Sequence, residues 1–426
     1  MEAFIRQVRQ DLFHKVRHNK LSLEKLASSF GITDKTEVKE YTELAIVEVA
    51  RSVVQKSNSV EDRFNQIVGL YKSQANLSHR TSQSVMLQQY STPAPIGYLA
   101  GVFTLLDKTF QKNFEGFEPS AGNGLLTIAG NPQNIVVNEI DTLRRSNLHT
   151  QGFKQILSQD ATRSFQNFTK RFDAVITNPP FGTLDNPVNY NGFAIKVLDH
   201  LMALRALDTM KDTGRAAIII GGHTQWDEKG RIQAGKNRIF FNYLYRHYQV
   251  VEVLLIDGHK LYSRQGTAFD VRLILINGRK SIPEGVAPIR DPEMDIEIKT
   301  FDALFERVTD AMKEIKETNH PMRKLELEAE ALQLQLELLK QGELGAPYQP
   351  ASEGCIVLNT VVPDSMSFET HSAIQSIKEA VGGDIDEFVR HRLNYPSKTE
   401  LCKALSAEQI DAVAMAIYNI EARGQG

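Results

Sequence analysis

Between residues 116 and 278, short apolar runs alternate with helical patterns, and this alternation limits the fold more than any other feature of the chain. The runs are GFEPS, NIVVNEI, KQILSQD, FDAVITN, RAAIIIGG, VVEVLLID and VRLILING. AIKVLDHLMALRALDTMK and NRIFFNYLYRHY lie between some of them and space their apolar residues by three and four. A run that is apolar on both sides of its pleat cannot face water. The pattern therefore predicts an α/β fold, a mostly parallel sheet covered by helices on both faces. Such sheets take ligands beyond the carboxyl ends of their strands, so the residues that close each run are the candidates for function.

The flanks read as helices. FIRQVRQDLF, SLEKLASSFG, VKEYTELAIVEVARSVVQ and VEDRFNQIVGLY fill the first 88 residues, with Ser22 and Ser59 as expected N-caps. SLEKLASSFGITDKTEVKEY has a faint helix-turn-helix look, although helix pairs joined by glycine are common without DNA. Beyond Gly278, EGVAPIRDPEMDIEI reads as a Pro-rich linker or a short β excursion. DALFERVTDAMKEIKE, PMRKLELEAEALQLQLELLKQG and most of the remaining chain read as helix. The expected parts are an N-terminal helical domain (1–85), a central catalytic domain (86–280), a linker with an acidic helical region (281–350) and a C-terminal helical region (351–426).

No apolar run approaches the roughly 18 residues of a membrane span, and MEAFIRQVRQDLFHKVRHNK has no signal-peptide core. The two cysteines, Cys355 and Cys402, suit a reducing compartment and form neither a disulfide framework nor a zinc cluster. A cytoplasmic protein without a metal or a membrane partner is expected. Net charge is −3, but residues 211–279 hold 11 Lys and Arg against 6 Asp and Glu, and residues 291–343 hold 7 against 14. The basic block reads either as a local phosphate-binding face or as solvated surface.

The first run closes in FEPSAGNG. Glu118 and Ser120 lead into Gly122 and Gly124, whose missing Cβ atoms let backbone approach a ligand. LLTIAG, which follows, is expected to be a helix offering free N–H groups at its start. The second run ends at Glu139, about 20 residues on, where dinucleotide-type folds place an acid against ribose hydroxyls. The third ends at Asp160, an acceptor for an adenine amino group or a helix cap.

Residues 173–182, DAVITNPPFG, close the fourth run. Two prolines add nothing to a sheet ladder, and an aromatic ring exposed at a strand end gains nothing in the free fold. The amide oxygen of Asn178 and the carbonyl of Pro179 can both accept from one exocyclic NH₂ group, held rigid by Pro179 and Pro180. Accepting both hydrogens localises the nitrogen lone pair and makes it more nucleophilic. Phe181 offers a face on which a flipped base stacks, worth about 1–3 kcal/mol per base, against a few kcal/mol to flip it.

The ordered set resembles the gamma-class S-adenosylmethionine-dependent methyltransferases that act on adenine N6 in DNA. NPPF carries the resemblance together with the glycine turn and the upstream QYSTP (89–93), which is similar to the segment found in type I restriction-modification methylation subunits. It covers residues 86–278 and implies a Rossmann-like class I methyltransferase sheet whose last strand runs antiparallel. It also implies that Thr92 contacts the methionine end of S-adenosylmethionine and that Glu118 with the SAGNG turn cradles its amino-acid part. Glu139 would then hold the ribose, Asp160 the adenine amino group, and Asn178, Pro179, Pro180 and Phe181 the target base. No general base is required, because the sulfonium is already a good leaving group. Tyr262 and Trp226 lie in loops bordering such a site. Methyl transfer to cytosine N4 or to protein glutamine, and a DNA- or partner-binding module with little turnover, are the alternatives.

The acidic helical remainder does not resemble a target-recognition domain, so recognition is expected to be minimal or supplied by another chain. LSAEQIDAVAMAIYNIEARGQG resembles the lead-in to the ATPase core of strawberry-notch-type helicase–methyltransferase fusions. It implies a helicase region as partner and a role in anti-restriction or defence on a mobile element.

Overall fold

The fold is that of a computed structural model, described over residues 1–56, 59–78, 91–265 and 269–318. The C-terminal region expected at 351–426 lies outside these residues, as do Gln89 and Tyr90 of QYSTP. Residues 1–312 form one compact unit.

The chain opens with α1 (Glu2–Phe13), α2 (Lys20–Ser29), α3 (Lys35–Lys56) and α4 (Val60–Ser73). Ser59 caps α4 by accepting from the Asp62 N–H. Ser22 is not the cap of α2: Asn19 is, and Ser22 sits three positions inside, returning the bond to the Asn19 N–H in a capping box. The helix-turn-helix reading also fails. α3, which would have to read a groove, is buried on nearly every side from Val38 to Ala50.

After α5 (Ala94–Phe103) comes the sheet. β1 (Gly116–Glu118), β2 (Ile135–Asn138), β3 (Gln155–Leu157) and β4 (Phe172–Thr177) are parallel neighbours. β2 and the apolar part of β4 are wholly buried, as their unbroken apolar runs require. Phe117, Phe165, Phe168 and Phe172 pack together on one face of the sheet, with ring separations of 4.8–6.2 Å. α6 (Thr142–His149) joins β2 to β3.

A hairpin of β5 (Thr183–Tyr190) and β6 (Phe193–Val197) follows NPPF, and only then does α7 (Leu198–Leu207) begin. The helix expected over 194–211 is thus half as long. Val188 and Ile195 face each other across the hairpin, and Met210 already opens β7 (Met210–Gly221). α8 (Gly235–His247), β8 (Tyr248–Ile256), α9 (Gly258–Leu261) and β9 (Val271–Arg279) complete the alternation. The Pro-rich stretch supplies β10 (Glu297–Ile298), and α10 (Phe301–Thr318) follows.

The sheet order is β10-β8-β9-β7-β4-β1-β2-β3, with β9 antiparallel to both neighbours and β10 parallel to β8. β1 lies between β2 and β4, so the chain reverses its direction of travel across the sheet there. Ligands bind at such a switch point, beyond the carboxyl ends of the strands. Among the described residues no helix is long and apolar enough to cross a membrane.

Candidate functional site

A cavity of about 340 Å³ opens at this switch point. The strand ends bring Glu118, Glu139, Asp160 and Asn178 to its wall, together with Ser120, Gly122, Thr92 and Pro180. Gly124, Pro179 and Phe181 are not on the wall. Phe181 is half-buried, less open than an exposed stacking platform.

The turn after β1 needs its glycines. Gly122 and Gly124 sit at φ +55° and +92°, in the left-handed region that costs other residues strain. The Gly122 N–H donates to Glu139 Oε2 (2.7 Å), and the Asp141 N–H donates to Oε1 (2.8 Å). Burial raises the Glu139 carboxyl while Arg144 opposes the rise. Asn138 joins the turn to the end of β3: its Nδ2 donates to the carbonyls of Pro119 (2.9 Å) and Gln159 (3.0 Å), and its Oδ1 accepts from the Gln159 N–H (2.9 Å). Asp160 is exposed and accepts from the Thr162 N–H and hydroxyl, an Asx turn and not a helix cap.

The expected helix LLTIAG is only a 3₁₀ turn at Leu125–Thr127. The carbonyls of Thr127 and Gly130 accept from Arg51 Nη1 (2.9 and 3.1 Å), and that of Thr127 also accepts from the Gly130 N–H (3.1 Å). The N-terminal donors of a full helix are therefore not what shapes this turn.

At the other end of the cavity, Asn178 Nδ2 donates to Thr92 Oγ1 (2.9 Å). In this arrangement the amide nitrogen faces Thr92 and the carbonyl oxygen points away from it. Both residues are buried, Thr92 4 % and Asn178 9 % exposed.

The strongest electrostatics come from α3, which sequence reasoning left out. Glu40, Glu43, Val47 and Arg51 share one face of that helix. Glu40 pairs with Arg144 Nε (2.9 Å) and Nη2 (3.2 Å), and Asn123 Nδ2 donates to Glu40 Oε2 (2.6 Å) and Glu43 Oε1 (3.0 Å). Burial works against the Glu40 charge, but Arg144 holds its carboxyl below the ordinary value. Glu43 goes the other way: burial raises it, and the Glu40 charge adds to the rise. Glu118, 1 % exposed, is pushed well up by burial and by Glu139, with Arg51 opposing. The only sequence signal for this network was a run of charges inside an otherwise apolar helix.

Other expectations do not survive. Tyr262 is wholly buried and absent from the cavity wall. Trp226 is 9 % exposed and lies under the guanidinium groups of Arg272 (4.7 Å) and Arg290 (5.4 Å), so it anchors its loop. Four of the 11 cations of the basic block are held in ion pairs: Lys211 with Asp173, Arg231 with Asp227, Arg272 with Asp295 and Arg279 with Asp212.

The strand order, with one antiparallel strand set between β7 and β8, and a ligand cavity at the β1 switch point define a Rossmann-like α/β fold of the class I methyltransferase type. No protein-family model matches the sequence, and no curated protein matches it. Solved structures do resemble the chain. The M protein of the type I restriction enzyme EcoKI is 16 % identical, with 66 % of this chain and 58 % of that one covered, at a TM-score of 0.34. The type IIG restriction endonuclease BpuSI is 13 % identical (66 % and 36 % covered, TM-score 0.36). A TehB-like S-adenosylmethionine-dependent methyltransferase from Corynebacterium glutamicum is 9 % identical (41 % and 86 % covered, TM-score 0.24). The chain spans 58 % and 36 % of the two restriction proteins. Likenesses at these values bring no residue-by-residue equivalence with them.

Proposed function

We propose that the chain transfers a methyl group from S-adenosylmethionine to the N6 amino group of adenine in DNA. One observation carries the reading: the Asn178 amide, oriented by Thr92, shares a single cavity with the Gly122 turn, Glu118 and Glu139. The cavity wall suits the cofactor, because acceptors for hydroxyl and amino groups line it and Glu118 Oε2 is buried without a hydrogen-bond partner among the described residues. Bound there, S-adenosylmethionine supplies an electrophilic methyl group on a positively charged sulfur.

The chain's own residues do the rest. Asp160 would accept from the adenine of the cofactor and Glu139 from its ribose, while Glu118, Ser120 and Thr92 would hold its amino-acid part. Asn178 Oδ1 and the Pro179 carbonyl would accept hydrogen bonds from the target amine, whose surplus proton passes to solvent after transfer, Pro180 would keep that pair rigid, and Phe181 would meet the base. Residues 86–280 act as the catalytic part, and the N-terminal helices complete its wall. A helicase region or recognition subunit would choose the site on DNA, and Thr92 of QYSTP, bonded to Asn178 of NPPF, favours a restriction-linked role, in protection or anti-restriction.

The test is transfer of a tritiated methyl group to unmethylated DNA, followed by nucleoside analysis. Label is expected in N6-methyladenine. Asn178→Ala should lower transfer at least about 100-fold, the scale of losing a preorganised catalytic hydrogen-bonding group, while calorimetry finds cofactor binding within about threefold, a change worth under 1 kcal/mol. Label in N4-methylcytosine or in protein glutamine would replace the substrate. DNA binding without label would replace the enzyme by a binding module.

A further inference from the structure

Two acids on the cavity wall have an oxygen that no described residue hydrogen-bonds. Glu43 and Glu118 are each 1 % exposed, and the Oε2 of each lacks a hydrogen-bond partner among the described residues. They come from opposite sources, Glu118 from the end of β1 and Glu43 from α3 in the N-terminal helices. Buried polar groups are nearly always satisfied, so two orphaned oxygens on one cavity describe what should enter it. A carboxylate only accepts, and its complement must donate. The local cations are spent elsewhere: Arg144 on Glu40, and Arg51 on the backbone of Thr127 and Gly130.

The position of Glu43 narrows the choice. Its Oε1 accepts from the Ser91 hydroxyl (2.9 Å), and the next residue, Thr92, holds Asn178. Glu43 therefore stands at the β4 end of the cavity. Asp160 follows β3, two strands beyond β1 on the other side. With the adenine end at Asp160, the amino-acid end of the cofactor falls to Glu43.

Resting on the methyltransferase reading above, we infer that Glu43 receives the α-ammonium group of S-adenosylmethionine, together with Glu118, and is a specificity-determining residue of the cofactor site. An ammonium brings three N–H donors and a positive charge to two acids that each have a neighbouring acid, Glu40 beside Glu43 and Glu139 beside Glu118. Proton linkage follows. Glu43 is raised by burial and by Glu40, and Glu118 by burial and by Glu139; Arg144 opposes the first and Arg51 the second. Glu40 stays charged through Arg144, with Lys39 adding to that effect. A cation that draws these carboxyls into their charged form must drive protons off, so affinity rises with pH through the raised carboxylate range.

Calorimetry on the full chain tests this with three probes: S-adenosylmethionine, S-adenosylhomocysteine and 5′-methylthioadenosine, which has no amino-acid part. Glu43→Gln keeps the shape of the side chain. It is expected to weaken the first two about 10- to 100-fold, the scale of one charge-assisted hydrogen bond, and to leave the third unchanged. In buffers of different ionisation enthalpy, binding of S-adenosylmethionine to the unaltered chain should release protons, and Glu43→Gln should release fewer. No loss, or an equal loss on all three probes, overturns the assignment. Where 5′-methylthioadenosine binds too weakly to read, an unchanged proton count overturns it instead. If Glu43→Gln does not fold, Glu43→Asp takes its place with the same expected pattern. An unaltered chain that binds none of the three sinks the cofactor reading itself, which is a different result.

Discussion

Asn178 and His200 show how single side chains are fixed by what surrounds them. The first is aimed by a hydroxyl 86 positions away in sequence. The second, on α7 beside the cavity-lining Met202, is 3 % exposed and stacks on Phe240 with ring centroids 4.1 Å apart. Burial first, and the Lys236 charge second, bring its pKa from 6.5 down to about 3. The ring is therefore neutral in the fold, while the unfolded chain takes up a proton below about 6.5. Its contribution is complete above that value and is lost as pH falls toward 3. The loss should come to about 2 kcal/mol between pH 6.5 and 5. Denaturant midpoints at pH 7 and pH 5 check this: His200→Phe should keep most of what the unaltered chain loses, and equal losses in both would mean the ring is charged in the fold. Phe181, Trp226 and Tyr262 teach the complementary lesson. An aromatic residue in a loop near a site reads alike in sequence whether it meets a ligand or anchors the loop, because only neighbours distant in sequence decide.

At the scale of elements, α5 shows how closely helix and turn must meet. A Cβ on Gly97 would lie 2.7 Å from the Leu125 carbonyl oxygen, and one on Gly101 would lie 2.5 Å from Ala129 Cβ. Both glycines thus let α5 lie on the turn that shapes the cavity, with Thr92 just ahead of the helix. Gly97→Ala should cost about 1–3 kcal/mol by overpacking and weaken cofactor binding as Thr92 shifts. Gly69→Ala, in α4 with nothing within 4 Å of the added Cβ, should instead gain about 0.5–1 kcal/mol. Thermal melting of the pair separates steric crowding from helix propensity, and a stabilised Gly97→Ala would refute the close approach. The main elements were legible from sequence because buried strands need apolar runs, and the closing acids fell where the parallel sheet puts them. The β5–β6 hairpin was not, since TLDNPVNY is largely exposed and carries no clean alternation. LLTIAG was misjudged: Asn131-Pro132 stop a helix directly after it, and Arg51 satisfies carbonyls at its end.

For the whole molecule, the division into an N-terminal helical domain and a catalytic domain understates how they depend on each other. Residues 1–312 are one compact unit. α3 supplies a wall of the cavity, Tyr71 donates to the Leu261 carbonyl (2.9 Å), and Phe64 stacks on Phe305 (5.0 Å). A chain beginning at residue 86 should therefore fail to fold, since it leaves Arg144 and Asn123 buried without their acids. Loss of one partner from such a pair costs about 3–5 kcal/mol, a large share of a typical domain's stability. A chain of residues 1–318 should unfold cooperatively and bind S-adenosylmethionine as the full chain does. Circular dichroism and calorimetry on both decide the matter, and a folded, cofactor-binding 86–426 would show the helices to be an accessory.

The ion pair between Glu40 and Arg144 joins residues 104 positions apart. During translation, the third helix emerges with its acids long before the arginine that neutralises one of them has been made. Until then its charged face has every reason to stay in water, although Val38, Tyr41 and Leu44 can already pack on Phe4, Ile5 and Leu23 of the first two helices. The portion synthesised first is thereby the one obliged to wait, and the nascent chain should be most vulnerable to proteases and most in need of chaperones during that interval.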